Sequence, residues 1–111
     1  MSSDMENRKV QIIEYGDLNI DINCRQVKKS GRIIALRRKE FDILILLTEH
    51  PGWVYTKEQI FESVWKGELP IDIDNAVTCQ IKHLRKKIGN NLVGTPYIET
   101  VWGVGYKFNY K

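Results

Sequence analysis

Between Asn75 and Ile88 the chain carries Lys82, Arg85, Lys86 and Lys87 and no carboxylate. At about 100° per residue along a helix, Val77, Ile81, Leu84 and Ile88 fall on one face. Asn75, Cys79, Lys82, His83 and Lys86 collect on the opposite face, with Thr78 and Arg85 on one flank and Lys87 on the other. Surface helices usually mix charge signs, because opposite charges at i,i+4 stabilise them. A face that keeps cations and hydrogen-bonding Asn, Thr and His side chains but excludes carboxylates suits the major groove of a duplex. Its cations neutralise phosphates, and its polar groups and small Cys79 meet base edges. The plain alternative is a basic face turned to solvent. Further on, Gly103-Val104-Gly105 permits a tight hairpin tip that delivers Lys107 on the following strand. A long cation beside a narrow hairpin reaches a minor groove; taken alone, Lys107 reads as an ordinary exposed strand residue.

Other chemistries find little support. His50 and His83 have no Ser or Cys partner in a recognisable motif, and no phosphate-binding glycine loop, metal spacing or nucleophile elbow occurs. No catalytic residue, metal site or cofactor is therefore expected, and the chain does not read as an enzyme. Cys24 and Cys79 are widely spaced and read as reduced thiols, neither a disulfide framework nor a zinc site. No apolar run approaches the ~20 residues of a membrane helix, and the polar N-terminus does not resemble a signal peptide, so a cytoplasmic location is expected. The formal charge of +3 is unevenly spread. Residues 1–74 hold 11 Lys and Arg against 13 Asp and Glu, whereas residues 75–111 hold six against one. A polyanion is the natural partner of such a C-terminal third.

The elements that must position these residues follow from periodicity. At 111 residues the chain makes one domain, expected over 12–111 behind a flexible tail or linker end over 1–11. Leu18, Ile20 and Ile22 alternate with Asn19, Asp21 and Asn23, and turn signals stand at Gly16-Asp17 and Ser30-Gly31. Residues 12–36 thus predict a small antiparallel sheet of three or four strands. Arg38–Glu49 is apolar around most of a helix and should be largely buried until Pro51-Gly52 stops it. Thr56 and Gln59 form a capping box for a second helix closed by Gly67. Residues 66–74 form an acidic loop holding Lys66, Glu68, Leu69 and Asp72, with Asp74 as N-cap of a third helix over 75–88 and Gly89 as its stop. Tyr97–Trp102 and Tyr106–Tyr110 predict a terminal hairpin. Sheet, three helices and hairpin make an α+β chain whose second and third helices suggest a helix-turn-helix with a long turn.

Five stretches strengthen this reading: Leu36-Arg37-Arg38-Lys39-Glu40-Phe41 with Ile43-Leu44; Pro51-Gly52-Trp53-Val54; Val64-Trp65; Ile81-Lys82-His83-Leu84-Arg85-Lys86-Lys87-Ile88; and Ile98 through Phe108 with its Gly103-Val104-Gly105-Tyr106-Lys107 core. Together they resemble the winged-helix DNA-binding domain of the OmpR/PhoB response regulators, over about residues 12–110. The resemblance implies an N-terminal antiparallel four-stranded sheet, three helices and a C-terminal β-hairpin wing. It implies sequence-specific binding of double-stranded DNA and transcription regulation, as the effector domain of a two-component phosphorelay system. The third helix would enter a major groove, the wing (about 97–110) an adjacent minor groove, and Lys66, Glu68, Leu69 and Asp72 would face RNA polymerase. A receiver domain and head-to-tail dimers on direct repeats are the further partners implied. By position, Thr78, Gln80, Lys82, His83 and Arg85 match DNA-contacting residues and Lys107 matches the wing cation; Gln80 lies near the buried edge of the helical wheel, within reach of a phosphate.

The chain departs from the family's pattern in ways that bear on chemistry. Arg37 stands where Ser or Thr usually caps the first long helix, and Glu40 is expected to compensate through the helix dipole. Thr78 replaces a common Asp and His83 a common Arg, so the bidentate fork that favours guanine is missing. Trp102 stands where Arg is frequent, removing one phosphate contact. Two alternatives remain open from sequence: a winged helix used for protein contacts, and a stand-alone DNA binder without a receiver.

Overall fold

The computed structural model describes residues 11–69 and 71–109; apart from Gln11, the tail expected over 1–11 lies outside the described residues, as do Pro70, Tyr110 and Lys111. The period-two stretch forms β1 (Ile12–Tyr15), β2 (Leu18–Asp21), β3 (Gln26–Lys29) and β4 (Arg32–Ile34), an antiparallel sheet in sequential order. Leu18 and Ile20 are buried while Asn19 and Asp21 are half-exposed, and Ile20 faces Val27 across the ladder, as alternation on a one-sided sheet requires.

Helix α1 (Arg38–Glu49) buries Phe41, Ile43, Leu44 and Leu47. Glu40 lies in its first turn, where the dipole effect expected of it operates, and adds a hydrogen bond to it. Arg37 has no side-chain acceptor to cap with, a guanidinium being a donor only. Instead the Glu40 carboxylate reaches back and accepts the Arg37 N–H at 2.9 Å, one half of a capping box. At α2 (Lys57–Val64) both halves are present: Thr56 Oγ1 accepts from the Gln59 N–H at 3.0 Å, and Gln59 Oε1 from the Thr56 N–H at 2.9 Å. This helix ends before the Gly67 expected to close it. The Trp65 N–H donates to the Phe61 carbonyl, and the buried indole stacks on the Phe61 ring with centroids 5.0 Å apart.

Helix α3 spans Ile73–Ile88, half a turn more than the expected 75–88. Asp72, not Asp74, is the N-cap: its Oδ1 accepts the Asn75 N–H at 3.0 Å. Asp74 falls in the first turn, where the helix dipole favours an anion, and pairs with Lys57 of α2. Val77, Ile81, Leu84 and Ile88 are buried, the face read from the sequence.

The terminal hairpin, β6 (Ile98–Val101) and β7 (Gly105–Phe108), is shorter than the predicted strands and does not stand alone. A two-residue strand, β5 (Tyr55–Thr56), pairs with β7, giving a three-stranded sheet in the order β5-β7-β6. Tyr97 fastens the two sheets together. Its hydroxyl lies 2.9 Å from the Tyr15 carbonyl oxygen, donates to the Asp17 carboxylate and accepts the Asp17 N–H at 3.2 Å. Burial, then the neighbouring Asp17 carboxylate, pushes the Tyr97 phenol up to about 12. The Tyr97 hydrogen bond in turn holds the Asp17 carboxyl below its usual range. Lys29 closes the seam, donating to the Asn90 carbonyl at 2.7 Å.

The wing is fixed at its root. A Cβ on Gly105 would lie 1.9 Å from the Tyr55 carbonyl oxygen, whereas one on Gly103, at φ +80°, meets nothing within 4 Å. We expect Gly105→Ala to lower stability by about 3 kcal/mol, since backbone cannot yield as a side chain does. Gly103→Ala should cost about 1–2 kcal/mol, through its left-handed backbone alone. Urea unfolding of the two variants checks this, and equal losses would mean that the β5–β7 seam gives way without cost.

Candidate nucleic-acid interface

Burial of its apolar stripe leaves the other side of α3 in solvent. Asn75, Thr78, Cys79, Lys82, His83 and Lys86 are exposed and share that side. Gln80 is half-buried with a buried Oε1 that lacks a hydrogen-bond partner, so its side chain is turned partly inward.

Two of the four cations of α3 are engaged within the protein. Arg85 donates from Nε to the Ile98 carbonyl at 3.0 Å and from Nη2 to Thr100 Oγ1, and its guanidinium lies 5.4 Å from the Tyr106 ring centroid. It therefore ties α3 to the wing sheet and fixes the angle between them. Lys87 donates to Glu40 Oε1 at 2.6 Å. Glu40 is fully buried at the start of α1. Burial alone would raise its carboxyl, but hydrogen bonds from Lys87 and the Arg37 amide, with the charges of Lys87 and His83, outweigh burial and hold it below the usual carboxylate range. On its other side, His83 Nδ1 stands 3.9 Å from Glu40 Oε2. The sequence points to Lys87 as a flank cation and Glu40 as a dipole partner; it gives no sign that they meet 47 residues apart.

An open cleft of about 590 Å³ separates α3 from the wing, with Thr78, Arg85, Thr100 and Trp102 in its lining. Lys107, half-buried in β7, sits opposite Glu99 of β6 rather than at the hairpin tip. The tip is apolar: Trp102 is 89% and Val104 53% exposed. In the loop before α3, Leu69 and Ile71 are 85% and 95% exposed. Lys66 is also exposed, Glu68 is paired with Lys39 at 2.8 Å, and Asp72 is occupied as the cap of α3. Ile73 is partly buried against the core, so of the two isoleucines Ile71 alone is free of it. Among the described residues no helix is long and apolar enough to cross a membrane.

A sequence profile of the family described as "Transcriptional regulatory protein, C terminal" matches residues 31–108. The chain belongs to that family. It is 33% identical over 105 residues to the regulatory protein VanR of Enterococcus faecium, covering 95% of this chain and 46% of that protein. It is 36% identical over 101 residues to the transcriptional regulatory protein SrrA of Staphylococcus aureus, covering 90% and 42%. The chain thus spans less than half the length of these curated relatives. Among solved structures, the response regulator DrrB of Thermotoga maritima, an OmpR/PhoB homologue, superposes with a TM-score of 0.79 at 38% identity, over 96% of this chain and 48% of that one. The DNA-binding domain of Klebsiella pneumoniae RstA, solved in complex with the RstA box, gives 0.78 at 30% identity, over 91% and 99%. The fold is accordingly a winged helix of the OmpR/PhoB type, and the chain is a DNA-binding, transcription-regulating effector domain, not a member of an enzyme family.

Arg85 and Lys82 distinguish an anchored cation from an exposed one. Arg85→Ala removes two charge-assisted hydrogen bonds to β6 and should lower stability by about 1–3 kcal/mol while also weakening DNA binding. Lys82→Ala should leave stability within about 0.5 kcal/mol and weaken binding to every duplex alike. Urea unfolding and mobility shifts on two unrelated duplexes give both readings; a destabilised Lys82→Ala, or an Arg85→Ala of unchanged stability, would reverse the assignment.

Proposed function

We propose that this domain binds double-stranded DNA with α3 in the major groove and the wing against the neighbouring minor groove. Asn75, Thr78, Cys79, Lys82, His83 and Lys86 form the contact face, and Lys107 is the wing cation. The observation that carries the reading is the solvent-exposed side of α3, from which carboxylates are absent beyond its first turn and beside which a braced hairpin projects. A module used only for protein contacts has no need of such a face. Arg85 is better suited to holding the wing at its angle than to a free phosphate contact, and Gln80 reaches DNA only at the edge of the helix.

The relatives' greater length, and the description of one of them as a response regulator, support a receiver domain in the full-length protein; a cytoplasmic location and head-to-tail dimers on direct repeats are proposed with it from the family resemblance alone. RNA polymerase is the proposed partner of the loop before α3. That assignment is supported by Leu69 and Ile71, two aliphatic side chains left in water beside Glu68 and Asp72. Carboxylates there would repel phosphate, and apolar groups rimmed by charge suit a protein surface.

With Arg85 and Lys87 engaged internally, the free cations of the interface among the described residues are Lys82, Lys86 and Lys107. Affinity for a fixed duplex should therefore fall with salt at a log–log slope of about −2 to −4 per bound domain. A mobility shift titrated from low to moderate salt measures it, and a flat dependence would remove the phosphate contacts.

Glu68→Lys should leave duplex affinity equal or slightly higher while changing output from the same promoter in a reconstituted transcription assay. Loss of duplex binding, with circular dichroism unchanged, would put the loop on DNA instead.

A further inference from the structure

Glu40 Oε2 is buried and has no hydrogen-bond partner, and a buried acceptor left in that state is costly. Oε1 is satisfied by Lys87 and the Arg37 amide, so neither is directed at Oε2. The donor that faces it is the imidazole of His83, with Nδ1 at 3.9 Å and the side chain 48% exposed. A neutral imidazole carries its proton on one nitrogen and a lone pair on the other, and the partner of one nitrogen decides which. A carboxylate only accepts. It therefore stabilises the tautomer with the proton on Nδ1, turned toward Glu40, and leaves Nε2 as a bare acceptor on a side chain that is half exposed.

We propose that Glu40, from beneath the recognition helix, sets the base preference of His83 by fixing this tautomer. Glu40 is a positioning residue here and makes no DNA contact of its own. An acceptor in the major groove pairs with an amino group, and only adenine N6 and cytosine N4 supply one there; guanine presents N7 and O6, thymine O4 and a methyl group. His83 then selects an adenine or cytosine on the strand it faces and disfavours guanine. This inverts the preference of the arginine that the family pattern carries at this position, because a guanidinium can only donate. The inference rests on the proposed seating of α3 in the major groove.

Two measurements on the intact domain test it. Nitrogen-15 NMR of the imidazoles at mildly alkaline pH should show His83 protonated on Nδ1, the signals being assigned by their loss in His83→Ala. Glu40→Gln should abolish that preference; where this variant does not fold, the wild-type spectrum alone decides, since a proton on Nε2 would overturn the proposal. Selection of bound duplexes from a random pool should yield one position restricted to adenine or cytosine. That restriction should relax by roughly fivefold to tenfold in His83→Ala and move to guanine in His83→Arg. Guanine at that position in the wild type, or a selection unchanged by His83→Ala, would overturn the proposal. Absence of any salt-dependent duplex binding by the wild type would overturn the underlying seating instead.

Discussion

A carboxylate with no solvent exposure persists only where donors and cations come to it, and for Glu40 the cation, Lys87, and the facing imidazole of His83 both come from α3. Its ion pair with Lys87 joins the first turn of α1 to the last turn of α3, while the same carboxylate completes the backbone of α1 through the Arg37 amide. Buried pairs contribute little net stability against an apolar replacement, yet removing one partner costs about 3–5 kcal/mol. The pair therefore acts chiefly as a constraint. It fixes which turn of α3 faces α1, and so which residues of α3 are left facing outward.

Arg85 applies a second constraint from the wing side. Lys87 and Arg85 lie two residues apart, hence on well-separated faces of the helix, and are held by α1 and β6 respectively. The C-terminal half of α3 is thereby braced between the helical layer and the hairpin. Its apolar stripe supplies the burial, and the two cations supply orientation. This division has an electrostatic consequence. Although residues 75–111 carry six cations against one carboxylate, two of those cations are engaged in internal geometry, so charge content overstates the cationic charge left free at the surface.

Much of this was legible in the sequence because it is local. Alternation over Leu18–Ile22, the Thr56–Gln59 box and the apolar stripe of α3 are patterns within a few residues of each other, and each forms as read. The parts that were not legible depend on contacts across the chain. Asp72 and Asp74 are both chemically fit to cap a helix; only the path of the loop selects Asp72. Strand β5 has two residues and no periodicity, and exists because β7 lies alongside it. An acidic residue in a first helical turn reads as a dipole partner whatever its burial, so nothing near Glu40 announces Lys87 or His83. The exposed residues of α3 were readable as a face, whereas the division into free and anchored cations required the fold.

The same distinction applies to the wing, where sequence singles out Lys107 but the hairpin tip consists of Trp102, Gly103 and Val104. Lys107 stands two residues into β7, about 7 Å back along a strand from Gly105, and opposite Glu99. A hairpin entering a groove tip-first would lead with an indole and an isopropyl group and keep its cation near the rim, where phosphates line the groove. At the root of the hairpin β5 pairs with β7, and Gly105 lies close against the Tyr55 carbonyl. Apolar surface presented by a hairpin gains from contact with sugars and base edges only where the groove wall conforms to it. A lysine near the rim gains from phosphate on any sequence. On such an entry, specificity at the wing would belong to the tip and to the deformability of the DNA it meets, while Lys107 would add affinity that does not distinguish one duplex from another.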